Sequence, residues 1–193
     1  MTKINIGDNA FILPEPLGIV GTHYEGRPNF MALAWMTRVN YQPCLMAIAV
    51  NKNHATSLGI AETGEYSINI PHEGMHRETD VMGLLSGKQV DKSTFFDIHY
   101  GELENAPLIK ECPLSMEFKV VKTVEMDTNT IFIGELRGAW TEERFLTDGF
   151  PDIEKVKPIM LSMPDNHYWA VGRKIGRAWH DGKELKDRVK TGR

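Results

Sequence analysis

The sequence predicts a mainly β protein with short α-helices, its strands closed or nearly closed into an antiparallel β-barrel. Three observations carry this. Two pairs of strand-like runs flank tight turns. A third run is apolar throughout. The helical patterns between them are few and short.

The elements follow in order. "LGIVGTH" (17–23) reads as a strand, "YEGRPN" (24–29) as a turn built on Gly26 and Pro28, and "FMALAWMTRV" (30–39) as the second strand of a hairpin. "YQP" breaks it. "CLMAIAV" (44–50) is continuous and apolar, as a strand buried on both faces would be, although periodicity alone leaves a helix open. Thr56 or Ser57 is placed to cap a short helix, "SLGIAE", and Gly64 to end it. "EYSINI" (65–70) alternates, with Tyr66, Ile68 and Ile70 on one face. Residues 73–85 carry a helical pattern, and "DKSTFF" (91–96) starts another short helix capped by Asp91. "SMEFKVVKTVEM" (115–126) and "TIFIGELRGAW" (130–140) flank "DTN" as a second hairpin. Shorter pieces and a polar tail of mixed charge complete the chain.

The 193 residues suit one domain, 1–193, with no linker or repeat to divide it. They are 41% hydrophobic and 25% charged, the balance of an ordinary globule. The net charge of −4 argues against a nucleic-acid or anionic-membrane surface, so any basic cluster serves a small anion. No apolar run approaches the roughly 20 residues of a membrane span. "MTKINIGDNA" lacks the apolar stretch of a signal peptide. Cys44 and Cys112 form neither a redox nor a zinc pattern, so the expectation is a cytoplasmic protein with reduced thiols. The histidines show no metal-ligand spacing, and no nucleophile elbow occurs.

Three donor-rich segments stand at the edges of regular elements. In "NKNHATS", Lys52, His54, Thr56 and Ser57 immediately precede or open a helix, where free N–H groups and the positive end of the dipole favour an anion. A capped helix beside a solvated lysine is the plainer alternative. "ALAWMTR" puts Trp35, Thr37 and Arg38 at a strand end. "SGKQVDKS" puts Ser86, Gly87, Lys88 and Lys92 in a polar loop. Together they suit an anionic ligand with a flat aromatic part. Neither a P-loop nor a G-x-G-x-x-G motif is present.

The stretch "GRPNFMALAWMTRVNYQPCLMAIAVNKNHATSLGIAETGEYSINIP", with "TDVMGLLSGKQVDKSTFF", "LENAPLIKECPLSMEFKV" and "YWAVGRKIGRAWHDGKELK", resembles the flavin reductase-like family of FMN-binding split-barrel proteins, which includes flavoredoxin. The resemblance spans about residues 10 to 186. It implies a split β-barrel of Greek-key-like antiparallel strands, with tightly held FMN at a homodimer interface. It also implies roles. Lys52, His54, Thr56 and Ser57 would hold the phosphate. Asn29, Trp35, Met36, Thr37 and Arg38 would line the ribityl chain and ring edge, Arg38 through its backbone. Ser86, Gly87, Lys88 and Lys92 would close the site, and one of the two lysines would steady negative charge on the reduced flavin. Tyr168 and Trp169 are candidates for the open ring face. Where family members often carry a cysteine, this chain has Met82, which puts a thiol role in doubt.

The expected activity is oxidoreduction, with NAD(P)H or a reduced partner feeding FMN, and free flavin or another small acceptor receiving the electrons. No acid–base residue is expected to be indispensable, because the cofactor carries the electron chemistry. A flavoredoxin-type carrier serving a redox protein is the alternative. A split barrel holding haem or another flavin is a third.

Overall fold

The computed structural model describes residues 1–191. Its strands are β1 (Glu15–Pro16), β2 (Gly18–Tyr24), β3 (Arg27–Leu33), β4 (Met36–Asn40), β5 (Leu45–Asn51), β6 (Glu65–Ile70), β7 (Ile98–His99), β8 (Leu108–Ile109), β9 (Leu114–Glu125), β10 (Asn129–Thr141), β11 (Leu146–Thr147), β12 (Phe150–Pro151), β13 (Ile159–Ser162) and β14 (His167–Ala170). Its helices are α1 (Ala55–Thr63), α2 (His76–Leu84), α3 (Ile153–Val156) and α4 (Lys183–Thr191). None of the helices among the described residues is long and apolar enough to cross a membrane.

Seven strands form one antiparallel sheet in the order β3-β2-β6-β9-β10-β5-β4. Its two edge strands, β3 and β4, are consecutive in sequence. The predicted strand 30–39 is therefore two strands, broken at Ala34 and Trp35, and the break falls where the barrel opens. A single buried cluster unites Val20, Met31, Ile48, Ile60, Tyr66, Phe118 and Phe132, drawn from six strands and α1, so the sheet curls around one interior. Tyr66 and Phe118 stack there at 5.1 Å. A sheet bent this far needs slack, and the β9–β10 ladder supplies it with register shifts at Ile133/Gly134 and Leu136/Gly138.

Two expectations about burial change. In β5, Ile48 and Val50 are buried while Ala47 and Ala49 are only half covered, so the strand is not buried on both faces. Its second face borders a groove, which is why it too is apolar. In β6 the polar residues are as buried as the apolar ones. Residues 97–113 fold over them: Ser67 Oγ donates to Pro107 O at 2.5 Å, and Ile109 N–H donates to Asn69 Oδ1 at 2.9 Å. Alternation thus predicted the strand but not the layer behind it. The helix expected over 91–96 is one 3₁₀ turn, Ser93–Phe95, where Asp91 Oδ1 accepts from Ser93 N–H at 2.9 Å.

Candidate functional site

The helix after β5 begins at Ala55, two residues before the predicted "SLGIAE". His54 occupies the N-cap position with extended φ and ψ of −75° and 143°, and no side chain caps the helix. Neither Thr56 nor Ser57 acts as the cap. The first-turn N–H groups thus keep their need for an acceptor. Gly64 ends α1 as expected, at φ 68°.

In front of α1 lies a cavity of about 170 Å³, bordered by Asn29, His54, Thr56, Ser86, Gly87 and Lys92, with Met31, Asn53 and Met82 among the other wall residues. Asn29 is buried, and its Nδ2 donates to Thr56 Oγ1 at 2.9 Å while its Oδ1 has no partner. Gly87 packs against this amide: a Cβ there would come within 1.9 Å of Asn29 Oδ1. Arg27 fastens the loop by donating to Gly87 O at 3.2 Å.

Lys92 is 3% exposed, and its Nζ donates to Met82 O at 2.9 Å. It makes no ion pair among the described residues. Burial pushes its pKa down to about 8. His54 is also held below the ordinary imidazole range, first by burial and then by the charges of Lys92 and Lys88. Its Nδ1 lies 3.0 Å from Met31 Sδ. No carboxylate borders the cavity among the described residues. Its chemistry is that of an anion seat: an unpaired ammonium, hydroxyls, a carboxamide and a helix N-terminus.

A second, larger opening of about 790 Å³ lies beyond the β3–β4 break, lined by Trp35, Met36, Thr37, Ala47, Ala49 and Glu15 among others. It is mostly apolar and suits a flat ring. Two strands connect it to the cavity. β3 runs from Asn29 and Met31 toward Ala34, and β5 runs from Ala47 to the loop bearing Asn53 and His54. Ala49 N–H donates to Trp35 O at 3.0 Å and locks the break against β5.

The other named residues lie apart. Lys52 pairs with Glu125 at 3.0 Å and, with Ser57, borders a separate depression beside β9 and β10. Lys88 is exposed, and its backbone N–H donates to Ser86 Oγ at 3.3 Å. Arg38 turns outward, donating to Asn40 O at 3.2 Å and Tyr41 O at 2.9 Å. Tyr168 Oη donates to Asp80 Oδ1 at 2.8 Å, and Trp169 Nε1 donates to Ser162 Oγ at 2.7 Å; neither borders the groove. Sequence reasoning missed Glu15, Met31 and Asn53. Met31 adjoins "ALAWMTR" and Asn53 lies inside "NKNHATS", but nothing in the sequence marked Glu15.

The curled antiparallel sheet, split at one edge and flanked by an anion seat and a flat groove, defines a flavin reductase-like split barrel. The chain belongs to the family of the flavin reductase like domain, whose model matches residues 11–154. It is 49% identical to flavoredoxin from Methanosarcina acetivorans, covering 96% of this chain and 100% of that one with a TM-score of 0.94. It is 34% identical to flavoredoxin of Desulfovibrio vulgaris (Miyazaki F), covering 94% of this chain and 100% of that one with a TM-score of 0.88. An uncharacterized protein of Archaeoglobus fulgidus is 31% identical over 66% of this chain and 72% of its own length.

Proposed function

We propose that the protein is an FMN-dependent oxidoreductase that takes electrons from NAD(P)H or a reduced partner and passes them to free flavin or another small acceptor. The observation that carries this is Lys92, a 3% exposed cation without a carboxylate partner among the described residues, on the wall of a cavity. A buried charge left unpaired is costly, and an anionic ligand removes the cost. The FMN phosphate fits the seat: Lys92, His54, Thr56, Ser86 and the N–H groups opening α1 would hold it. Gly87 gives it room, and Lys88 adds charge at the rim. The ribityl chain would follow β3 past Asn29, and the ring would lie against Trp35, Met36 and Thr37. Bound FMN supplies the electron chemistry, while the protein positions it and screens it from water.

Family membership supports oxidoreduction, and similarity to two flavoredoxins favours a second reading. In it the protein is an electron carrier for a redox protein. One experiment separates them. The purified protein is loaded with FMN, its visible spectrum recorded, and NADH or NADPH added without oxygen. Rapid bleaching by either supports the reductase. Bleaching only by a reduced redox protein supports the carrier. A protein that gains no flavin band with FMN would defeat both.

The proposed assembly is a homodimer. Ile4, Ile6 and Ile12 before β1, and Ile175 and Trp179 after β14, are 78–98% exposed. Apolar side chains this open at both ends of the fold suit a surface covered by a second copy.

A further inference from the structure

Tyr168 stands apart from the groove, yet the register of its sheet leads there. β1, β13 and β14 form a small antiparallel sheet in the order β1-β13-β14. Tyr168 pairs with Leu161, and Leu161 pairs with Glu15, so the three stand in one row across it. Glu15, with Phe11 and Ile12 before it, lines the large groove, whose other lining residues include Met36 and Ala49 of the seven-stranded sheet. The outer end of the row is tied to the other half of the site. Tyr168 Oη donates to Asp80 Oδ1 at 2.8 Å, and both residues are half-buried. Asp80 is on α2, two residues before Met82, whose carbonyl accepts from Lys92 Nζ at 2.9 Å in the wall of the anion seat.

A hydrogen bond to a carboxylate is stronger than one between neutral groups, and partial burial shields this one from water. Burial, and then the Asp80 carboxylate, push the Tyr168 pKa up to about 12, so the hydroxyl keeps its proton and donates. The packing on either side decides what the bond does. α2 is anchored without it: Met82 within the helix and Met75 just before it are buried in a cluster with Ile19, Phe30 and Phe96. No residue of β1, β13 or β14 belongs to this cluster or to the one inside the barrel. The small sheet runs directly into β2, and it is fastened to the turn before α2 where Glu73 N–H donates to Lys157 O at 2.9 Å. The ion pair of the same two residues, at 3.2 Å, is exposed and adds little. Two points of attachment fix the sheet against α2, and loss of the Tyr168 bond leaves it one to pivot on.

We propose that Asp80 and Tyr168 are a positioning pair, whose hydrogen bond sets the spacing between the anion seat and the β1 wall of the groove. A ligand that reaches from one to the other, as FMN does in the function proposed above, needs that spacing fixed. Its two ends reinforce each other only where both fit at once. The consequence for FMN rests on that function; the fastening of the wall does not.

Three ligands test this: FMN, inorganic phosphate for the seat alone, and lumiflavin, a flavin ring without the phosphate arm. Each is titrated by calorimetry into the wild-type and Tyr168→Phe proteins. The variant should bind FMN about tenfold more weakly, the size of one net hydrogen bond, yet bind phosphate and lumiflavin within about threefold of wild type, since neither is held at both ends. Asp80→Ala should match Tyr168→Phe, and the double variant should be no weaker than either. Asp80→Asn keeps an acceptor oxygen and should retain most of the FMN affinity. Unchanged FMN binding in Tyr168→Phe would overturn the proposal. So would equal losses for FMN and lumiflavin, which would make the tyrosine part of the groove's packing alone. Amide hydrogen exchange without any ligand gives a reading independent of flavin. The β13 amides should exchange faster in Tyr168→Phe, and those of α2 and β5 at the wild-type rate. Unchanged β13 exchange, or faster exchange throughout the chain, would also overturn the pair. Failure of the wild type to bind FMN would defeat the flavin reading, and hydrogen exchange would then decide whether the bond fastens the wall. Should Tyr168→Phe not fold, Asp80→Ala and Asp80→Asn carry the same comparison.

Discussion

Lys92 is 3% exposed, so its charge is poorly solvated, and two opposite pH dependences follow. Burial favours the neutral amine and lowers the pKa to about 8, whereas a phosphate in the cavity favours the ammonium. FMN affinity should be full below pH 8 and weaken as the pH rises through about 8. His54 loses its charge at lower pH, so it does not account for that window. Stability without ligand runs the other way. An unfolded lysine titrates near about 10.4, so between the two values the unfolded chain binds more protons and the contribution to stability rises with pH. Lys92→Met should abolish both trends and weaken FMN binding at pH 7 by tenfold or more, on the order of one charge-assisted hydrogen bond. Calorimetry from pH 6.5 to pH 9, each bound taken as approximate, checks the first trend, and thermal melts check the second. An unchanged slope in the variant would count against Lys92. Gly87 is the other residue on which the seat depends. Gly87→Ala would drive a methyl group into the Asn29 amide, so FMN affinity should fall at least about tenfold, with a melting temperature within a few degrees of wild type if the loop alone gives way. Of these features, the donor types were legible from "NKNHATS" and "SGKQVDKS". That Lys92 faces the cavity while Lys52 turns to Glu125 was not, because the pairing of Lys52 depends on where β9 ends.

At the level of elements, the barrel depends on polar anchors hidden behind its strands. Glu117 on β9 is completely buried, and its carboxylate accepts the N–H groups of Glu102 at 2.7 Å and Leu103 at 3.1 Å. Glu65 on β6 likewise accepts from Asn105 N–H at 2.9 Å and from Lys119 Nζ at 2.8 Å. These carboxylates fasten residues 97–113 across the back of the sheet. Glu117→Ala leaves two part-buried N–H groups without their acceptor, at roughly 2–4 kcal/mol. The melting temperature should fall by about 5–12 °C, while the proposed FMN seat, built on β3, α1 and the loop after α2, keeps most of its affinity. Thermal melts and flavin titration of the same sample check this. An unchanged melting temperature would show that the loop is not held from behind. The hairpins, β5, α1 and β6 were readable because each carries its own period or turn signal. The break at Ala34 and Trp35 was not, since "FMALAWMTRV" remains strand-like throughout and only the pairing of β4 with β5 divides it. The cover over β6 was equally hidden: a strand with polar residues on its second face reads as half-solvated, and Ser67, Asn69 and Glu65 are buried only because a distant segment meets them.

The whole molecule leaves its two terminal segments without cover. The core cluster accounts for the barrel, but Ile4 and Ile6 precede it and Ile175 and Trp179 follow it, the last at 98% exposure. Monomeric proteins scatter single apolar residues over their surfaces, but several large side chains this open in two otherwise polar segments suit a partner surface. The N-terminal segment borders the groove, where Asn9, Ala10 and Phe11 line it, whereas Ile175 borders a separate hollow with Glu73 and Lys157. A second copy packed on the N-terminal segment would close over the ring position, and assembly and flavin binding would be coupled. The expected outcome is a dimer by sedimentation equilibrium at micromolar concentration. The double variant Ile175→Asp, Trp179→Asp should shift it toward monomer, because each burial of a large apolar side chain is worth about 1.5–3 kcal/mol and an aspartate reverses its sign. Linkage then requires that FMN bind the variant more weakly, and that added FMN move the wild-type equilibrium further toward dimer. A variant that becomes monomeric yet binds FMN as the wild type does would separate the two, placing the whole flavin site within one copy of the chain.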